Sequence, residues 1–236
     1  PEAIIVIDDV SSDGTGDVAR GLGVTVLRPP RNTGSKAGAQ TFALPQVATE
    51  FCMAIDADTT LAPDAIVCNG AGNYATWVHK FWVHRHYRTQ LAPTNGAMGY
   101  GVPAAVAAGF VAPERQVVCF AGDGCFLMTG QELATAVRHR LKILFLVMNN
   151  GMLGTIRMHQ EKHYPARESA TALTNPDFAA YARAFGAHGA TIERTEDAER
   201  VLREALAADG PALIEVRVDP EALSLRRTLT QIREGA

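Results

Sequence analysis

Two apolar runs, Gln116-Val-Val-Cys-Phe120 and Lys142-Ile-Leu-Phe-Leu-Val-Met148, are strand-length and nearly free of polar side chains beyond their first residues. A strand of that kind is buried on both faces, the condition of a parallel sheet covered by helices on each side. Similar short runs recur along residues 65–236: Ala65-Ile-Val-Cys68, Ala190-Thr-Ile192 and Ala212-Leu-Ile-Glu-Val-Arg-Val218. Helical patterning fills the gaps. A small-residue helix is expected from about 102 to 110, and a second one turns Leu133, Ala136 and Val137 inward. Arg138 and Arg140 lie near the end of that second helix, where cations suit the dipole. Asn175 is expected to cap a helix with Pro176 at its first position. Thr195 is expected to cap another, with Glu196 and Asp197 in the first turn. The alternation predicts an α/β fold, a doubly wound parallel sheet with helices on both faces.

The ends of the strands carry the chemistry. Phe120 runs into Ala121-Gly122-Asp123-Gly124, and Met148 runs into Asn149-Asn150-Gly151, with 24 residues between the two motifs. Neighbouring parallel strands bring their C-terminal ends together, so Asp123 and Asn150 can share one cation. A hard cation such as Mg²⁺ takes oxygen ligands, here a carboxylate, an amide oxygen and a backbone carbonyl. Gly122 and Gly124 let the backbone approach a diphosphate. Upstream, Gly70-Ala-Gly72-Asn-Tyr-Ala75 opens a helix expected to reach about Tyr87. As G-x-G-x-x-A it is close to the dinucleotide fingerprint, which also needs an acidic residue ~20 positions on. No acidic residue occurs between Asp64 and Glu114. What remains is a glycine turn that presents backbone N–H groups to a phosphate.

On these motifs, residues 65–236 resemble the C-terminal cofactor domain of thiamine-diphosphate enzymes, nearest to acetolactate-synthase-like proteins. The resemblance implies a thiamine-diphosphate-binding fold, with thiamine diphosphate and Mg²⁺ as cofactors and a 2-oxo acid as substrate. It implies that Asp123, the Asn150 side chain and the Met152 carbonyl ligate Mg²⁺. It implies that Gly122, Gly124, Cys125, Asn73 and Tyr74 line the diphosphate and that Met98 props the thiazolium. The Gly96 carbonyl would accept from the 4′-amino group. Acetolactate synthases usually carry Met five and Trp nine positions beyond the metal Asn, where this chain has Thr155 and His159. Simple pyruvate decarboxylases carry Glu six positions beyond it, where this chain has Ile156. Both substrate assignments are thereby put in question. In the family a separate pyrimidine domain supplies the Glu that activates the cofactor. The chain on its own is therefore expected to bind the cofactor without turning over, its catalytic Glu coming from a separate pyrimidine-domain chain. A homo-oligomer is expected, and a non-catalytic cofactor-binding module is the bland alternative.

The first 64 residues use other motifs. Ala3-Ile-Ile-Val-Ile7 reads as a buried strand, followed by Asp8-Asp9-Val-Ser-Ser-Asp-Gly-Thr15 and a helix over Thr15–Arg20. Val24–Leu27 and Phe51–Ile55 read as further strands, the last ending in Asp56-Ala57-Asp58. With Asn32-Thr-Gly-Ser-Lys36-Ala-Gly38 between them, this partial β-α-β segment resembles the front of a family 2 glycosyltransferase with a GT-A fold. The resemblance implies Asp9 near a nucleotide base and Asp58 on a metal and sugar diphosphate. The Q-x-x-R-W motif of such enzymes does not occur after residue 64. In this chain Asp9, Asp56 and Asp58 are therefore expected to be vestigial, with Asp56 and Asp58 orphaned surface carboxylates. A truncated sugar-nucleotide glycosyltransferase stays an alternative function.

Charge marks the same seam. Residues 1–64 carry nine Asp/Glu against four Lys/Arg, and residues 65–236 carry sixteen against eighteen. The expected boundary lies near Ala62–Ile66, and the shared phrase Pro63-Asp-Ala-Ile66 suits an in-frame fusion of two parents. The net charge of −3 does not favour a nucleic-acid partner. No run reaches the ~18 apolar residues of a membrane span. The chain opens at Pro1 without Met, as a fragment or processed chain would. Cys52, Cys68, Cys119 and Cys125 form no C-x-x-C pair, so reduced thiols in the cytoplasm are expected. His159 and His163 are four apart, the spacing of a metal pair, but surface placement is the simpler reading. His79, His84, His86, Arg85 and Arg88 are expected on one basic helix face. Trp77 and Trp82 are expected in a core or interface.

Overall fold

The computed structural model describes residues 5–33, 39, 42–43, 46, 64–84 and 86–235. The expected strand at 51–55, the candidates Asp56 and Asp58, and Lys36, Cys52 and Arg85 lie outside the described residues. The chain divides into two compact units, residues 1–60 and 61–236.

In the first unit, β1 (Ile5–Ile7) and β2 (Thr25–Leu27) form a parallel pair with Ile5 opposite Thr25 and Ile7 opposite Leu27. Between them runs α1 (Thr15–Gly21). Asp8 is buried and accepts from the Ser11 N–H and hydroxyl and from Arg28 Nη1. Asp9 closes the next loop. Its two oxygens accept from the Thr33 N–H at 2.9 Å and the Thr33 hydroxyl at 2.8 Å.

The second unit is a six-stranded, all-parallel sheet in the order β4-β3-β5-β6-β8-β7. Its strands are β3 (Ile66–Asn69), β4 (Gln90–Leu91), β5 (Val117–Gly122), β6 (Ile143–Asn149), β7 (His188–Ile192) and β8 (Ala212–Arg217). The helices are α2 (Tyr74–Phe81), α3 (Gly101–Val111), α4 (Asp123–Leu127), α5 (Leu133–Arg138), α6 (Gly154–His163), α7 (Phe178–Ala184), α8 (Ala198–Leu206) and α9 (Leu229–Arg233).

Alternate residues of the central strands feed two cores. Val117, Cys119, Ala121, Ile143, Phe145 and Val147 pack with α3, α5 and α7 residues such as Val102, Leu133 and Phe178. Val118, Leu144, Leu146 and Ile214 pack on the other face with Val201 and Ala205 of α8. The sheet is doubly wound, as the apolar runs predict, because strands buried on both faces need a cover on each. The chain leaves β3 toward β4 on one side and then returns to β5 on the other. The carboxyl ends of β3 and β5 therefore flank a switch point, the place where open α/β sheets bind ligands.

Four local expectations are corrected. The helix after Gly72 stops at Phe81 rather than near Tyr87, with Trp82 extended. The His84 ring meets the Thr89 hydroxyl at 3.1 Å, and that hydroxyl donates to the His86 carbonyl at 2.7 Å. Such local bonds compete with a continuing helix. Of the expected basic helix face only His79 lies on α2, so no single face forms. Asn175 does not cap α7. Asp177 does, its carboxylate accepting from the Ala180 N–H at 2.8 Å. Thr195 does not cap α8 either; it opens a short 3₁₀ turn, Thr195–Asp197, after Arg194.

The last helix is fastened by charge. Arg233 of α9 donates through Nε and Nη2 to the two oxygens of Glu161 on α6, each at 3.0 Å. Arg157 meets the same carboxylate at 2.5 Å. Glu161 is only 1% exposed. The Arg233 hydrogen bonds, with Ala166 N–H and Arg157, hold its carboxyl below the usual range against the opposing effect of burial. A lowered folded pKa gives stability that is complete above the ordinary glutamate value of about 4.3. That stability is lost as pH falls through the lowered folded value. Acid unfolding followed by circular dichroism should therefore begin at a higher pH in Arg233→Gln than in the parent. Superimposable acid transitions would show that the pair contributes nothing.

Candidate functional site

The β5–β6 register pairs Gly122 with Met148, so the residues just beyond each strand come out side by side. Asp123 is buried at 3% exposure. Its Oδ1 accepts from the Gly124 N–H at 2.8 Å. Its Oδ2 accepts from the Gly151 N–H at 2.9 Å and from Asn175 Nδ2 at 2.8 Å. Burial pushes the Asp123 carboxyl up, while bonds from Gly124, Asn175, Gly151 and Asn150 pull it down. Gly151 is in the left-handed region at φ 70°, which lets the turn after β6 aim its N–H at Asp123. Asn150 folds into a local turn, its Oδ1 accepting from the Met152 N–H at 3.2 Å. The Met152 carbonyl accepts from the Gly154 N–H at 2.9 Å and keeps a second lone pair. The same loop is laced to a facing segment, with Leu153 N–H donating to Thr171 and Leu173 N–H to Gly151, each at 2.8 Å.

Gly124 shows why a glycine follows the aspartate. A Cβ there would stand 2.8 Å from Leu153 Cδ2, 3.1 Å from Leu173 Cδ1 and 3.8 Å from Met98 Cε. The structure thus brings Met98 to the same spot as Gly124. Gly96 lies at φ 69° with open space around it. On the β3 side, the Tyr74 ring lies over Gly122, where a Cβ would be 3.0 Å from Cδ1. The Tyr74 hydroxyl points to Cys125 Sγ at 3.5 Å, and the Gly99 N–H donates to the same sulfur at 3.0 Å. Burial pushes the Tyr74 phenol up. A Cβ on Gly70 would meet Cys125 Sγ, so this glycine is required by close approach of the two loops. Asn73 has its amide engaged. Nδ2 donates to the Leu223 carbonyl at 2.7 Å, and Oδ1 accepts from the Thr155 hydroxyl at 2.7 Å.

Asn175 is the residue that sequence reasoning misplaced. Its amide bridges Asp123 and Asn149 rather than capping a helix. Either Asn175 or Asp177 can cap by residue type, so the sequence carries no signal that separates them. His159 is exposed, and its ring stacks on His163 at 6.2 Å between centroids. Trp77 and Trp82 are half-buried. Cys68, Cys119 and Cys125 are free and buried. Among the described residues no group of three or more His, Cys, Asp or Glu could hold a metal. No helix of the described residues is long and apolar enough to cross a membrane.

The donor types suit a hard cation: one buried carboxylate after β5, with an amide oxygen and a backbone carbonyl in the turn after β6. At Gly122 and Gly124 the space that a side chain would take is filled by Tyr74 and by Leu153 and Leu173, so close packing of the loop requires both glycines.

Comparison with known proteins agrees with this architecture. Residues 70–216 match the family described as "Thiamine pyrophosphate enzyme, C-terminal TPP binding domain". This chain belongs to that family of thiamine-diphosphate-binding domains. Among individual proteins, it is 38% identical over 158 residues to the acetolactate synthase isozyme 2 large subunit of Escherichia coli (strain K12). That match covers 66% of this chain and 29% of the relative. It is 40% identical over 165 residues to the acetolactate synthase large subunit of Parasynechococcus marenigrum, covering 67% of this chain and 26% of that one. A Mycobacterium smegmatis protein solved by X-ray and described as a thiamin diphosphate-dependent enzyme superposes with a TM-score of 0.56 at 32% identity. The superposition covers 67% of this chain and 29% of that one. The chain thus spans less than a third of the length of these relatives. Residues 2–67 match a second family, "Glycosyl transferase family 2".

Proposed function

We propose that residues 65–236 bind thiamine diphosphate with Mg²⁺ as the cofactor-binding part of a 2-oxo-acid lyase or carboligase of the acetolactate synthase kind. The observation that carries this reading is the buried Asp123 carboxylate at the paired ends of β5 and β6, inside a segment of this family. Asp123, the Asn150 amide oxygen and the Met152 carbonyl would hold Mg²⁺. Gly122, Gly124, Cys125, Asn73 and Tyr74 would line the diphosphate. Met98 would support the thiazolium, and the Gly96 carbonyl would accept from the 4′-amino group. When bound, thiamine diphosphate supplies an acidic carbon and an electron sink for the bonding pair left behind when a 2-oxo acid loses CO₂.

The chain's own part is to bind and orient. Burial keeps the Asp123 charge desolvated and directed, so a nearby cation is attracted strongly. Leu153, Leu173 and Met98 wall one side of Gly124 with apolar surface and exclude water there. Thr155 fixes Asn73 from the far side of the loop. In this reading a pyrimidine domain on a separate chain supplies the activating Glu, and the working species is a homo-oligomer. The buried free thiols suit the reducing cytoplasm.

Calorimetry tests the reading. Thiamine diphosphate with Mg²⁺ should give saturable heat with the 236-residue chain, and UDP-sugar with Mn²⁺ should give none. No heat with thiamine diphosphate overturns it. Turnover of pyruvate by this chain unaided would overturn the need for a second chain.

The match of residues 2–67 favours a second reading for the first unit, a truncated glycosyltransferase segment whose sugar-nucleotide residues are vestigial. Asp9, Asp56 and Asp58 are its candidate residues, with Asp9 engaged by Thr33. The two family matches, 2–67 and 70–216, abut within three residues, which supports a fusion near Pro63–Ile66. Single-molecule sequencing of genomic DNA across codons 55–75 should show the junction in one reading frame; two intact parent genes would refute it.

A further inference from the structure

Asp123 is one end of a hydrogen-bonded chain that runs past β6 to β8. Asn175 Nδ2 donates to Asp123 Oδ2 and to Asn149 Oδ1, each at 2.8 Å. Asn149 Nδ2 donates to Glu215 Oε1 at 2.7 Å. Glu215 is a carboxylate within β8 at 1% exposure, flanked by the buried Ile214. Its other neighbours are Arg217 Nε at 3.4 Å and the Thr191 hydroxyl at 3.5 Å.

The polarity of the chain is forced from both ends. A carboxylate only accepts, so Asn149 must turn its NH₂ to Glu215. Its oxygen then faces the Gly151 N–H at 3.0 Å and Asn175. Asn175 sees two acceptors, Asn149 Oδ1 and Asp123 Oδ2, and must present its NH₂ to both. Its own Oδ1 is left buried without a partner. A buried acceptor left unpaired is costly, and here it is the consequence of holding Asp123.

We propose that Glu215, acting through Asn149 and Asn175, is a positioning residue that fixes the rotation of the Asp123 carboxylate for cation binding. This rests on the reading of Asp123 as an Mg²⁺ ligand. Outer partners of metal ligands orient them, and losing one typically weakens metal affinity about 10–100-fold.

The test uses the whole chain with Mg²⁺ titrated calorimetrically at saturating thiamine diphosphate, together with the thermal midpoint of the cofactor-free protein. Asn175→Leu and Glu215→Leu should each weaken Mg²⁺ affinity by roughly 10–100-fold. Glu215→Gln keeps an oxygen that accepts from Asn149 and should stay within about threefold of the parent. A purely structural role would lower the cofactor-free midpoint and leave Mg²⁺ affinity unchanged. Affinity within about threefold of the parent in Asn175→Leu, with Asp123→Ala still abolishing binding, overturns the proposal and leaves the cofactor reading standing. If Glu215→Leu does not fold, Asn149→Leu, which removes the amide joining Glu215 to Asn175, is read in its place: unchanged Mg²⁺ affinity overturns the proposal. If the parent shows no Mg²⁺-dependent binding, the cofactor reading and this proposal fall together.

Discussion

Asp123→Ala will remove nearly all of the stabilisation that thiamine diphosphate and Mg²⁺ confer, while the cofactor-free protein keeps its fold. The reasoning starts from what the carboxylate does in each state. Without a cation it is a buried charge held by hydrogen bonds from Gly124, Gly151 and Asn175. Burial pushes its pKa up, so the charged form gains little from the fold itself. Removing it costs those bonds and relieves a desolvated charge, two effects of opposite sign. With a cation the balance changes, because Asp123 is the one carboxylate in the proposed donor set. Loss of that charge should weaken binding by at least roughly 100-fold, about 2.7 kcal/mol. Ligand present at 100 times the parent dissociation constant stabilises the parent by about 2.7 kcal/mol. The same concentration would stabilise the variant by only about 0.4 kcal/mol. Differential scanning calorimetry with and without ligand measures both. An undiminished ligand-induced rise in the Asp123→Ala midpoint would mean that the cation is held elsewhere.

Much of the fold around this candidate site is legible in the sequence. The apolar runs 116–120 and 142–148 dictated buried parallel neighbours, and the motifs at their ends then had to meet. The sequence marks Gly122 and Gly124 as places of close backbone approach, and the structure shows what comes close: Tyr74 at Gly122, and Leu153, Leu173 and Met98 at Gly124. Local signals failed where two residues of equal capping ability compete. Asn175 and Asp177 are both good N-caps, and only the fold shows that the Asn175 amide is drawn away by two acceptors, Asp123 at the start of α4 and Asn149 at the end of β6. Glu215 was hidden for a related reason. A single acidic residue in an apolar strand reads as an irregularity, and its partner Asn149 lies 66 residues away. The short strand β4 was also missed, because two residues carry no period. In the structure the Thr89 hydroxyl ties the turn before β4 to the His86 carbonyl.

Phe126→Ala should be the most destabilising single change near the site, at about 3–5 kcal/mol. Phe126 is fully buried and lies three residues beyond Asp123 in α4. Its ring meets Phe178 edge-on at 5.7 Å and Tyr181 at 5.9 Å. Such pairs add about 0.5–1.5 kcal/mol each beyond the area they bury. The packing is close enough that a Cβ on Gly130 would stand 2.6 Å from Phe126 Cε1. Phe178 opens α7, and Asn175 lies three residues before it. The Phe126–Phe178 contact therefore docks the same two segments that the Asp123–Asn175 hydrogen bond joins at the site. Truncation should loosen both, so the variant should show a lower urea midpoint and weaker Mg²⁺-dependent cofactor binding together. Phe126→Leu keeps most of the volume and should recover the larger part of each. A loss below about 1 kcal/mol in Phe126→Ala would contradict a well-packed anchor, since full burial of an aromatic ring leaves a cavity that the surrounding side chains cannot close without cost.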